Sequence, residues 1–164
     1  MNSLAEKLKK IHVLCIKHNL AVATAESCTG GYISKLITDL SNSSKYYKGS
    51  IIAYSNEVKS SILNISPELI DKYGAVSEEV SVSMAEGLLN IMDIDIALSV
   101  TGVMETNNDS SNKVTQVFIT IKSSTKEITS HFILDSTRDS NRQRTVYFAF
   151  NCLYDFIHKN YLLS

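Results

Sequence analysis

The chain has 164 residues, 44% of them hydrophobic, enough for one globular domain with a substantial core and too few for two independent ones. Sixteen basic residues against 17 acidic ones leave a net charge of −1, so no global field favours nucleic acid or a membrane surface, and no apolar run reaches the roughly 18 residues that span a bilayer. The three cysteines, Cys15, Cys28 and Cys152, are odd in number and widely spaced with no CxxC pair, which argues against a disulfide framework or a zinc site; the charged start, residues 1–10, has no signal-peptide core, so the expected location is the cytoplasm.

Leu4, Leu8, Ile11, Leu14, Cys15 and His18 trace one face at a helical period and predict a packing helix over 4–18. Small and β-branched residues from Ala21 then run into Glu26-Ser27-Cys28-Thr29-Gly30-Gly31, after which Tyr32, Ile33, Leu36, Ile37 and Leu40 fall at helical spacing. This is a strand, a tight turn and a helix start. Past a polar loop at 41–44, Ile51, Ile52 and Tyr54 favour a second strand over 49–54. Ser55 or Asn56 then caps a short helix that carries Glu57 and Lys59 and ends near Leu63.

Ser66 and Pro67 are an N-cap and first-turn pair that opens a helix stopping before Gly74. Ser77 caps another, with Val80, Met84, Leu88 and Ile91 on a face expected to be buried. The mostly apolar run 94–100 predicts a central strand, followed by a polar loop over 103–113. Val117, Ile119 and Ile121 alternate with polar neighbours, as do residues 128–134 across a Ser123-Ser124-Thr125 turn, which predicts a hairpin. The last helix starts near Arg138 and presents Arg142, Val146, Ala149, Phe150, Leu153 and Ile157 on one side. With helices before, between and after the strands and no repeat or linker, the expected architecture is a single α/β domain over 1–164, three-layer α/β/α with a mixed sheet.

Ser27 lies at the strand-to-helix turn and Lys59 is 32 residues further on, in the helix after the second strand. If those strands are neighbours, the loops at their carboxyl ends share one crevice and the two side chains meet. A serine hydroxyl needs a base, and a lysine serves as one only when neutral, a state that burial favours. Tyr54 is placed to orient Lys59 or relay a proton, and the N–H groups of Thr29, Gly30 and Gly31 to form an oxyanion hole or phosphate cradle. Glu26 either pairs with a cation, Lys59 or an arginine, or binds substrate hydroxyls. Arg138, Arg142 and Arg144 open a helix where cations oppose the dipole, which a bound anion would offset. The bland alternatives are a serine that only caps, a solvated lysine and ordinary surface arginines. The four histidines show no zincin spacing, so no metal is expected.

Four stretches carry a resemblance: Thr24-Ala25-Glu26-Ser27-Cys28-Thr29-Gly30-Gly31, Ala53-Tyr54-Ser55-Asn56-Glu57-Val58-Lys59, Tyr73-Gly74-Ala75-Val76-Ser77-Glu78-Glu79-Val80 and Ser99-Val100-Thr101-Gly102. In this order they resemble the CinA carboxyl-terminal domain, whose stand-alone members are nicotinamide mononucleotide deamidases. The resemblance implies hydrolysis of that nucleotide's carboxamide to nicotinate mononucleotide and ammonia, a metal-free Ser-Lys site without a cofactor, and a homodimer or larger assembly. The implied partner is a small pyridine mononucleotide, not nucleic acid or membrane. Carried over by position, Ser27 is the nucleophile, Lys59 its base and Tyr54 beside them. Thr29, Gly30 and Gly31 hold the oxyanion or phosphate, and Thr101, Gly102 and Arg142 line the nucleotide.

The chain departs from the family after Gly102. The glycine- and proline-rich loop expected there is replaced by residues 103–113, which hold no glycine and add Glu105 and Asp109. Glycine-free backbone approaches a phosphate poorly, and carboxylates repel one. This favours a rival reading, a family member without turnover that binds a nucleotide or a partner; the intact Ser27, Tyr54 and Lys59 favour the enzyme.

Overall fold

The computed structural model describes residues 4–105 and 115–162. In chain order these form α1 (Leu4–Lys17), β1 (Val22–Glu26), α2 (Tyr32–Thr38), β2 (Tyr47–Ile52), α3 (Asn56–Leu63), α4 (Pro67–Tyr73), α5 (Glu78–Ile91), β3 (Ile96–Val103), β4 (Gln116–Lys122), β5 (Glu127–Ile133) and α6 (Arg138–Ile157). A short 3-10 turn at Ser43–Lys45 precedes β2, and a π-helical turn at His158–Leu162 extends α6. The sheet order is β2-β1-β3-β4-β5, with β1 parallel to both β2 and β3 and the last two pairings antiparallel. This is the expected mixed α/β architecture, and β3 is its central strand.

Alternation along the strands sends two sets of side chains to opposite faces. Val22, Ile96, Leu98, Val100 and the β4 residues Val117, Ile119 and Ile121 pack against α1, α2 and α6. Ala23, Ala25 and Ala97 face α3, α4 and α5, meeting Leu63, Ile70, Val80, Met84 and Leu88. Alanines on that face let the helices approach closely. The helices also approach one another closely: at Gly87 of α5 a Cβ would fall 2.4 Å from the Leu63 carbonyl oxygen of α3. Gly87→Ala is therefore expected to destabilise the protein by about 2–3 kcal/mol, because backbone rather than a flexible side chain must move; a denaturant titration measures it.

The caps follow the sequence. Ser55, Ser66 and Ser77 each accept the N–H three residues on, from Val58, Leu69 and Val80, and Pro67 occupies the first turn of α4. Three expectations need correction, the first being the second strand, expected over 49–54, which is Tyr47–Ile52 and ends before Tyr54. Ile91 is 42% exposed, not buried, because Leu89, Met92 and Ile94 fill that end of the core instead. The strand starting at 94 in the sequence reading begins at Ile96 and runs on to Val103, because Thr101, Gly102 and Val103 pair with Phe118, Val117 and Gln116 of β4. Of the 103–113 loop, residues 106–113 lie outside the described residues.

Candidate active site

The parallel strands β2, β1 and β3 end side by side, and the site is built at those ends. Ser27 follows β1 directly: its N–H donates to the Val100 carbonyl of β3 at 3.0 Å, while the Ala53 N–H, just past β2, donates to the Glu26 carbonyl at 2.8 Å. The sheet ladder thus continues one residue on each side of the serine. The turn then reverses through Gly30 (φ 60°) and Gly31 (φ 94°), left-handed conformations that glycine adopts without strain. Gly31 is the N-cap of α2 and has no side chain to cap it.

Glu26 does the capping. Its Oε2 accepts from the Thr29 hydroxyl at 2.7 Å and from the Gly31 and Ile33 N–H groups at 3.0 and 3.1 Å; Oε1 accepts the Ser34 N–H at 2.8 Å. The carboxylate is fully buried. This corrects the expectation for Glu26, Gly30 and Gly31, while the Thr29 N–H expected in the cradle donates to no other residue among the described residues. Glu26 neither pairs with Lys59 nor reaches substrate hydroxyls, because its oxygens are committed to the first turn of α2, where a negative charge complements the dipole. The Gly31 N–H and the Thr29 hydroxyl are spent on Glu26. The Gly30 N–H is turned to the Ser27 carbonyl at 3.2 Å, so the expected cradle loses that donor as well. Among the described residues, the turn N–H groups of Cys28 and Thr29 donate to no other residue.

Lys59 lies in α3, 1% exposed. Its Nζ is 3.2 Å from Ser27 Oγ, 2.8 Å from the Ala53 carbonyl oxygen and 3.5 Å from that of Tyr54. No carboxylate pairs with it among the described residues, and burial pulls its pKa below the ordinary 10.5. All three are donations from Nζ, which an ammonium satisfies with its three N–H groups; once the proton that burial disfavours is lost, the amine keeps two N–H groups for the carbonyls and turns its lone pair to the serine hydroxyl. Cys28, beside the serine, is buried and its thiol is pushed up to about 12, chiefly by that burial, which leaves it inert at neutral pH.

A cleft of about 330 Å³ opens over the pair. Ser27, Cys28 and Lys59 form part of its lining, Thr101 and Gly102 come from the end of β3, and Ala75 and Val76 from the turn between α4 and α5. The Thr101 hydroxyl donates to the Ala75 carbonyl at 2.7 Å, which ties that turn to the sheet. Gly102 serves close packing, since a Cβ would lie 2.7 Å from the Gln116 carbonyl oxygen. Tyr54 is placed differently from expectation. It meets Lys59 only through its backbone carbonyl, while its side chain stands 62% exposed and its hydroxyl accepts from Arg138 Nη2 at 3.2 Å. It neither orients the amine nor relays its proton through the phenol.

Arginine placement also differs. Arg138, the first residue of α6, lines the cleft and donates through Nη1 to Glu105 Oε1 at 3.2 Å. Arg142, expected to line the nucleotide, is absent from the cleft wall; it lies near enough to Cys28 for its charge to act there, and its Nε is buried without a partner among the described residues. One helical turn separates the two arginines, and only the docking of α6 decides which one faces the cleft. Asn56, Ala75 and Val76 also line the cleft and were not singled out as site residues in the sequence. Their only signal is their place in the second and third family-like stretches. Among the described residues no group of three histidine, cysteine, aspartate or glutamate side chains is placed to hold a metal ion, and no helix is long and apolar enough to cross a membrane.

The fold and the site define an α/β protein with a buried serine–lysine pair where its parallel strands end. The chain belongs to the CinA C-terminal domain family, whose model matches residues 4–157. It is 38% identical over 144 residues to a CinA-like protein of Fervidobacterium nodosum, covering 87% of this chain and 35% of that one. A CinA-like protein of Petrotoga mobilis is 37% identical over 157 residues, covering 90% and 37%. The chain thus spans little more than a third of the length of these curated relatives. Among solved structures, the competence or damage-inducible protein from Enterobacter asburiae superposes with a TM-score of 0.90 at 25% identity, covering 96% of this chain and 99% of that one. The competence/damage inducible protein CihA from Agrobacterium tumefaciens gives 0.84 at 29% identity, covering 93% and 94%.

Proposed function

We propose that this chain is an amidohydrolase that converts nicotinamide mononucleotide to nicotinate mononucleotide and ammonia through a Ser27–Lys59 dyad. The observation that carries the reading is the 3.2 Å contact between the Ser27 hydroxyl and a buried lysine whose pKa is lowered and which has no counter-ion among the described residues. Ser27 Oγ attacks the carboxamide carbon while its proton passes to the Lys59 lone pair. The ammonium so formed returns that proton to the leaving nitrogen, the C–N bond breaks, and ammonia departs from an acyl-serine. Water, deprotonated by the again neutral Lys59, attacks the acyl carbon; Lys59 then gives the proton back to Ser27 Oγ as the nicotinate leaves. In this scheme the Thr29 N–H, which donates to no other residue among the described residues, and the Cys28 N–H, which meets only its own thiol, hold the oxyanion.

Ammonia and nicotinate mononucleotide released by the purified protein, in equal amounts, test the reading. Their appearance without added metal is the expected result. Binding of the mononucleotide by calorimetry with no hydrolysis would overturn it in favour of a nucleotide-binding module.

A further inference from the structure

The cleft lining contains three ionisable cations and anions among the described residues: Lys59, Glu105 and Arg138. Lys59 is buried behind the mouth, with its Nζ turned to Ser27 and two backbone carbonyls. The charge at the mouth therefore rests on Arg138 and Glu105, and these two neutralise each other across 3.2 Å. The other end of the Arg138 fork meets the Tyr54 hydroxyl, also at 3.2 Å, so the guanidinium faces the cleft with its carboxylate partner already seated. A guanidinium fork binds a carboxylate and a phosphate with the same two-pronged geometry.

We infer that Glu105 is a specificity-determining residue, an internal counter-anion that competes with the phosphate of a ligand for Arg138 and so sets the site's preference between phosphorylated and unphosphorylated pyridine carboxamides. The inference rests on the proposed substrate class, but the competition itself is a property of binding. A phosphate arriving at Arg138 must displace Glu105 and then lie beside its carboxylate. An unphosphorylated nucleoside makes no such demand. Both partners are about half exposed, so the pair is loose enough to be exchanged, and salt weakens it.

The test is calorimetric titration of the full chain and of Glu105→Gln with three probes: nicotinamide mononucleotide, nicotinamide riboside and inorganic phosphate. Glutamine keeps the size and removes the charge at an exposed position, so the fold should tolerate it. The expected result is that Glu105→Gln raises the preference for the mononucleotide over the riboside, read as the ratio of their dissociation constants, by roughly tenfold, with phosphate tightened in parallel. Arg138→Gln introduced into Glu105→Gln should abolish the gain. An unchanged ratio, or a gain that survives loss of Arg138, would overturn the inference. If neither carboxamide is hydrolysed, the amidase reading fails while the dissociation constants still decide this one.

Discussion

Lys59→Met should leave a folded protein whose release of ammonia from nicotinamide mononucleotide has fallen by about 10³-fold or more, the scale of a lost general base within a catalytic unit. Ser27→Ala should cost about as much, and the double variant little more than either, because the two side chains act in one step. Methionine has nearly the length of lysine and needs no hydrogen bond, so the core around position 59 stays filled. Stability separates chemistry from collapse. In the folded protein Lys59 has a pKa below the ordinary 10.5, whereas the unfolded chain recovers that value. Between the two pKa values the unfolded state binds the extra proton, so stability rises with pH through this window, and below it the lysine is a net cost. Lys59→Met removes the slope and the charge cost but leaves the Ala53 carbonyl without its 2.8 Å donor, so the variant should stay within about 2 kcal/mol of the parent at neutral pH in a denaturant titration, with the pH dependence through this window lost.

The activity profile has the same origin. Only the neutral amine accepts the serine proton, so kcat/KM should climb as pH rises through the lowered Lys59 pKa and level off below 10.5. A profile that keeps rising toward 10.5 would mean a solvated lysine and would remove the dyad.

Glu26→Gln should lower stability by about 3 kcal/mol, since one amide oxygen replaces two charged ones before five donors, the Ser50 hydroxyl at 3.5 Å among them, and the amide N–H₂ group is turned toward N–H groups that it cannot satisfy. For a chain of this size that is a fall of roughly 6–12 °C in Tm, readable by scanning calorimetry. Activity should drop as well, although Glu26 touches no substrate in the proposed scheme. The carboxylate holds the start of α2, and the Ser27 turn hangs between that helix and the end of β1. A positioning role predicts reduced kcat with the pH profile unmoved, because Lys59 and its carbonyl partners lie on α3 and just past β2.

Several elements were readable because their causes are local. The serine caps at 55, 66 and 77, Pro67 in the first turn of α4 and the alternating β4 and β5 strands follow from side chains acting on their own backbone. So did the meeting of Ser27 with Lys59, which needed only two consecutive strands to be neighbours, as β1 and β2 are. Other features depend on partners distant in sequence. β3 extends to Val103 because β4 pairs with it there, and Ile91 is left exposed because other side chains fill its place.

The amino-acid sequence by itself determined the order of helices and strands, the capped starts of α3, α4 and α5, and the meeting of a serine just past β1 with a lysine in the helix after β2. Only the tertiary structure decided that Glu26 caps α2 instead of facing a ligand, that Tyr54 turns its hydroxyl to Arg138, and that Arg138 rather than Arg142 enters the cleft. The physical reason is that a charged or phenolic side chain has several partners within reach of its backbone position. Which one it takes depends on groups brought together from across the chain, as Glu105 and Arg138 are, 33 residues apart in sequence.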